Sequence, residues 1–307
     1  YLLDCNILSD NEKKYFHKIQ PGMGDEIASG AVNAISEFIY RYYGKNVIII
    51  LDEYDTPMQE AWISGYWDEA VAFFRGLFNS TFKTNAHMER GLITGITRIS
   101  KESIFSDFNN LKVVTTTSDA YATSFGFTEE EVFQALDDMG LGQEKQGVKK
   151  WYDGFSFGSQ TDIYNPWSII SFISENGKYK PYWSNTSGNG LVNTLIQGGN
   201  TDIKRTTEEL LKGSSFEAHI DEQIVFEHLN GSTNAVWSLL LATGYLKVLH
   251  VEPINADDEH DALYTLALTN FEVKKLFRNM VKGWFENSTA AVYNEFIKAL
   301  LMNDVDA

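Results

Sequence analysis

An α/β fold is the class this sequence predicts: a parallel sheet with helices on both faces, then a helical region, then a helix–strand–strand–helix region. Three observations lead to it. The run Val47–Leu51 is five bulky aliphatics without alternation, ending in Asp52, Glu53 and Asp55, which suits a central strand buried on both faces. Amphipathic stretches alternate with short apolar runs through the first third of the chain, as in a layered α/β domain. Near the end, two apolar runs lie between two helical patterns.

The acids after Leu51 carry the functional expectation. Open sheets of this kind bind ligands beyond the carboxyl ends of their strands, where helices leave them uncovered. Two adjacent acids there divide labour, Asp52 to hold a divalent cation directly or through water, and Glu53 to polarise an attacking water. Acids in this position also serve as helix N-caps or turn residues, so the pattern alone leaves both readings open.

The remaining elements follow in chain order. Residues 1–25 are polar and mixed, with a short helix expected around Glu12–Phe16 that closes near Pro21-Gly22. Val32, Ile35, Phe38, Ile39 and Tyr42 fall at three- and four-residue steps, one face of a helix over Ser29–Tyr43, with Gly44 placed to stop it. After the acidic strand, Pro57 suits the first turn of a long helix whose expected buried stripe is Trp62, Trp67, Val71, Phe74, Leu77 and Phe78. Gly91–Arg98 predicts a second short strand ending in polar residues, and Leu111–Thr116 a further one. Thr128 followed by Glu131 has capping-box spacing, for a helix from Glu129 to about Met139. The aromatics between Trp151 and Trp167 predict a packed connection, and Asn165-Pro166 precedes a helix through Phe172.

Toward the end, a helix over Ala235–Tyr245 stops around Gly244. A strand Leu246–Val251 follows, then a loop with Asp257, Asp258, Glu259 and Asp261, a strand Leu263–Leu268, and a helix opening at Asn270 or Phe271. That is the order of a winged helix. A DNA-reading wing profits from Lys or Arg against phosphate; four acids favour protein packing instead. Turn-rich stretches divide the chain near residues 125 and 205, giving regions 1–125, 126–205 and 206–307.

Composition narrows the classes of function. With 25 Lys plus Arg against 42 Asp plus Glu, the formal charge of −17 opposes phosphate backbones and anionic lipid, so no direct nucleic-acid binding is expected. The single cysteine, Cys5, allows no internal disulfide and no thiolate metal site of its own, which fits a reducing cytoplasm. No apolar stretch approaches the roughly 20 residues that span a bilayer. Histidines 17, 87, 219, 228, 250 and 260 show no paired ligand spacing.

With these segments in place, the chain resembles the bacterial AAA-ATPase-like family of the P-loop NTPase superfamily, whose members are often built with a PD-(D/E)XK nuclease-like domain at the carboxyl end. The resemblance covers essentially the whole chain. It rests on Tyr43–Met58 (YGKNVIIILDEYDTPM), Leu92–Phe105 (LITGITRISKESIF), Trp151–Phe155 (WYDGF) with Ile163–Trp167 (IYNPW), and Leu239–Leu246 (LLLATGYL). It implies an incomplete P-loop NTPase-type sheet followed by a winged-helix-like region, with ATP and magnesium as ligands. Asp52 matches the Walker B aspartate that supports magnesium, and Glu53 the glutamate that positions the hydrolytic water. Thr94 resembles the polar sensor of the γ-phosphate, and Arg98 a basic residue that answers nucleotide charge in cis or across a subunit contact. Asp55 is expected to be structural, as a cap for the helix after Pro57.

One departure is large. The superfamily cradles phosphate in a Gly-rich loop ending in Gly-Lys-Ser/Thr, whereas Gly44-Lys45 is followed by Asn46 and Gly177-Lys178 by Tyr179. In the family that loop lies upstream of all the blocks present here, so the chain is expected to begin after it. Residues 291–307 are similarly expected to lead toward the nuclease-like domain. The first reading is therefore a Mg·ATP switch acting on an attached nuclease-like effector. The alternative is a noncatalytic scaffold that binds a partner protein or a second copy. A third is a stand-alone metal-dependent phosphohydrolase using Asp52, Glu53 and Asp55.

Overall fold

The computed structural model describes residues 2–3, 7–96, 105, 108, 111–183, 190–221, 232–255 and 258–286. The chain is a mixed α/β protein with small parallel and antiparallel sheets, divided into two compact units, residues 1–112 and residues 113–222 with 227–307.

The first unit opens with α1 (Asp10–Lys18) and α2 (Asp25–Tyr43). Ser9 and Glu12 form a reciprocal capping box at the start of α1. Gly44 ends α2 in the left-handed conformation, φ +66°, which glycine adopts without a Cβ clash. Strand β1 (Val47–Leu51) follows, then α3 (Thr56–Ser64) and α4 (Trp67–Phe78). The single long helix expected after Asp55 is two, because Gly65 turns the chain at φ +82°. Helix α4 runs into a π-helical turn over Asn79–Lys83, and β2 (Met88–Ile93) closes the unit's sheet. Asn33 Nδ2 donates to the Ser80 carbonyl at 2.9 Å, and buried Asn85 donates to Ser36 Oγ at 3.0 Å. Both bonds hold the approach to β2 against α2.

Strands β1 and β2 run parallel, with Leu51 opposite Ile93. Here the expectation of helices on both faces needs correction. The sheet has two strands among the described residues, and β1 alternates between half-buried and exposed positions. Val47, Ile49 and Leu51 face the helices, while Ile48 and Ile50 are 62% and 69% exposed, beside Leu92 at 50%. An unbroken aliphatic run fits one covered face as well as two, because alternation is erased when both faces are apolar.

The second unit holds the aromatic core. Residues 111–115 are not in a strand, so the strand expected over Leu111–Thr116 is absent. Strand β3 (Phe127–Thr128) leads into α5 (Glu129–Asp138), with the Thr128–Glu131 capping box formed. Helix α6 (Lys145–Tyr152) passes directly into β4 (Asp153–Phe157), and β5 (Gln160–Tyr164) pairs antiparallel with both β4 and β3. Asn165 caps α7 (Pro166–Ser174) through the amides of Trp167 and Ser168. Val132, Leu136, Val148, Tyr152, Tyr164, Ile169, Phe172 and Tyr182 form one buried cluster, as a packed aromatic connection predicts.

Helices α8 (Gly190–Gly198) and α9 (Thr201–Lys212) come next, and α9 runs through residue 205. The last elements are β6 (Phe216–His219), α10 (Thr233–Ala242), β7 (Leu246–Asn255), β8 (Asp258–Leu268) and α11 (Phe271–Glu286). The expected helix–strand–strand–helix order is present. Its strands are longer than expected, so that Asp258, Glu259 and Asp261 belong to β8. A third strand, β6, pairs with the outer side of β8 to give the order β6-β8-β7. No described helix is long and apolar enough to cross a membrane.

Candidate functional site: the acidic turn after β1

The parallel register places the residues after β1 beside those after β2. The Thr94 amide donates to the Leu51 carbonyl at 2.9 Å, and the Tyr54 amide returns a bond to the Thr94 carbonyl at 3.0 Å. Between these two bonds the Thr94 hydroxyl donates to Asp52 Oδ1. The same oxygen accepts from the Glu53 amide at 3.0 Å. Asp52 is thus oriented by two donors while its residue stays exposed. Glu53 is also exposed and takes a left-handed backbone, φ +52°, uncommon for a residue with a Cβ and a sign that the turn is held by its surroundings.

What holds it lies beneath. Tyr54 turns inward, its ring edge-on to Phe105 at 5.4 Å and to Phe78 at 6.3 Å, and Phe78 stacks on Phe105 at 5.7 Å. Asp55 is fully buried. Its backbone carbonyl accepts from Met58 and Gln59 at the start of α3, but its side chain makes no cap bond, which corrects the expected capping role. Instead Oδ1 accepts from the Ile96 amide at 3.3 Å and Oδ2 from Gln59 Nε2 at 2.9 Å. The carboxylate thereby ties the acidic turn to the segment after β2. Gly95 permits that approach, because a Cβ there would lie 2.5 Å from Asp55 Oδ1 and 2.7 Å from the Tyr54 ring.

Asp52, Glu53 and Thr94 are therefore brought to one end of the sheet. Arg98 lies outside the described residues. Burial of Asp55 removes it from the exposed acidic surface, which disfavours the phosphohydrolase reading. No group of three or more His, Cys, Asp or Glu among the described residues is placed to hold a metal. One oriented carboxylate with a hydroxyl beside it still fits magnesium, which keeps several waters and binds through one or two carboxylates plus substrate phosphates. Sequence reasoning missed the cross-tie made by Asp55 and Gly95. Its one signal was a glycine directly after the polar residue that ends an apolar strand.

A parallel strand pair tipped by oriented acids defines the class of site. Residues 5–105 match the family described as Predicted AAA-ATPase, about a third of the chain. An Azotobacter chroococcum mcd 1 protein, described as an uncharacterized protein in the vnfD 5' region, is 26% identical over 232 residues, covering 75% of this chain and 42% of the relative. The chain thus spans less than half the length of that relative. No solved structure matches.

Proposed function

We propose that residues 5–105 supply the acidic half of a Mg·ATP-dependent switch. The observation that supports this most is the Thr94–Asp52–Glu53 arrangement at the strand ends, within a stretch that matches an ATPase-like family. Asp52 would hold magnesium, directly or through water, and Glu53 would orient the water that attacks the γ-phosphate. Thr94, fixed to Asp52, would couple phosphate occupancy to the segment after β2. Arg98, four residues further on, would answer nucleotide charge in this reading. The state would then pass to an attached effector, which the family resemblance suggests is nuclease-like.

The competing reading is a noncatalytic scaffold that binds a partner protein or a second copy. One observation favours it, the apolar face formed by exposed Ile48, Ile50 and Leu92. Calorimetric titration of Mg·ATP into the full-length gene product, beside the same titration into this 307-residue chain, separates the two. Magnesium-dependent binding by the gene product, abolished by Asp52→Ala, supports the switch; no binding by the folded gene product supports the scaffold. Where binding occurs, Glu53→Gln is expected to preserve it and lower turnover by roughly 100- to 10,000-fold, the usual contribution of a positioned base. Unchanged hydrolysis by Glu53→Gln overturns the role given to Glu53.

A further inference from the structure

The second unit contains a charged cluster with no part in the acidic turn. Helix α6 passes into β4 at Asp153, and β5 runs back alongside with a shift of register between Asp153 and Phe155. Gly154 takes φ +128°, where a Cβ would collide with the Thr269 carbonyl and lie 3.2 Å from Lys247 Nζ. The backbone at Gly154 is thus packed against Thr269, just before α11, and beside Lys247 of β7.

The side chains around Asp153 come from four elements. Lys149 of α6 pairs with Glu129 of α5 and, at 3.0 Å, with Asp162 of β5. Tyr164, also of β5, donates its hydroxyl to Glu129 at 3.0 Å. Lys247 of β7 adds a second positive charge, and Asp162 lies close enough to Asp153 for its charge to act on it. Asp162 itself has a left-handed backbone, φ +57°. Asp153 Oδ1 is buried with no hydrogen-bond partner among the described residues. Two neighbouring carboxyl groups favour a proton on one of them, and a buried bare oxygen is tolerated far better on a neutral carboxyl group than on a carboxylate.

We propose that Asp153 and Asp162 share a proton and form a pH-responsive joint between α5, α6 and the β4–β5 hairpin. In the closed form Asp153 carries the proton and donates it to the Asp162 carboxylate, which Lys149 holds in place. Loss of that proton to solvent sets two negative charges against each other and loosens the joint.

The direction of the pH effect follows from burial. Burial first, then the charge of Asp162 and the hydrogen bond to it, push Asp153 up to about 6 against the pull of Lys149 and Lys247. Asp162 moves the other way, lowered chiefly by its hydrogen bond to Lys149. A carboxyl group raised on folding binds its proton more tightly in the folded state. Its stabilising contribution is therefore full below the ordinary aspartate range and lost as pH rises through about 6.

Hydrogen exchange of peptides spanning residues 145–164 in the intact chain, corrected for intrinsic rates, tests the joint. Wild type is expected to exchange several-fold faster at about pH 8 than at about pH 5, and Asp153→Asn, which keeps a donor toward Asp162, to stay slow at both. The same pH dependence in Asp153→Asn, or none in wild type, overturns the proposal. Infrared spectra of wild type labelled at aspartate give a reading that needs no variant. A protonated aspartic carbonyl band should persist above about pH 5 and disappear by about pH 7, and its absence above about pH 5 overturns the proposal equally.

Discussion

Two acidic sites, one in each unit, are placed in opposite ways. In the first, Asp52 and Glu53 stand exposed beyond two short strands, and the apolar Ile48 and Ile50 behind them face outward as well. In the second, Glu272 is buried in α11, accepting from Ser168 Oγ at 2.8 Å and from the Trp183 amide at 2.7 Å. Burial raises its titration, opposed by those hydrogen bonds. An exposed acid oriented by its neighbours can meet an incoming cation at little cost to the fold. A buried acid spends its lone pairs on the elements that enclose it. Substitutions of these acids should therefore divide, acting on stability at Glu272 and on ligand binding at Asp52 and Glu53.

The largest effect expected is at Glu272. Glu272→Ala strands the buried Ser168 hydroxyl and the Trp183 amide, which join α7 and the segment after it to α11, and should cost about 3 kcal/mol. Urea unfolding followed by tryptophan fluorescence would measure it. A loss below about 1 kcal/mol would mean that water satisfies those donors, and would weaken the contrast between the sites.

Gly95→Ala should cost somewhat less, about 2 kcal/mol, since the new methyl group meets Asp55 Oδ1 and the Tyr54 ring at distances no Cβ tolerates. Its effect should fall on the acidic turn, and Asp55→Asn should share the same structural consequence in milder form. If Gly95→Ala leaves thermal unfolding unchanged, the Asp55 cross-tie does not hold the turn.

What the sequence revealed of this fold depended on how far apart the interacting residues lie. The Thr128–Glu131 box, the Gly44 stop and the Asn165 cap are made within a few residues and were readable as spacing. The acid-tipped strand was readable too, because the chemistry sits at the end of one apolar run. The pairing of β6 with β8 and the tie from Asp55 to Ile96 were not. Each joins residues distant in sequence, and no local pattern distinguishes a buried aspartate with a distant partner from a turn aspartate in water. The bare sheet face was hidden for a related reason: five aliphatics in a row fit one cover or two.

Asp52→Ala should cost the fold about 0.5–1 kcal/mol, because the Glu53 amide and Thr94 hydroxyl it releases lie near solvent. If the proposed switch is correct, the same substitution removes magnesium-dependent nucleotide binding in the full-length gene product. A stability loss as large as that of Glu272→Ala would instead make Asp52 a structural acid and erase the distinction between the two sites.

The smallest effect expected is at Ile50, and it bears directly on the scaffold reading. Its side chain is 69% exposed on the uncovered face of β1, so Ile50→Thr keeps β-branching and removes little buried surface. In this chain the change should stay within about 0.5 kcal/mol in a thermal or urea titration. The informative comparison is with the full-length gene product. An equally small change there means that the face stays in water, so that it contributes to neither fold nor assembly. A loss of about 1.5 kcal/mol or more confined to the full-length gene product means that this face is covered there, because only burial gives an isoleucine side chain that much to lose.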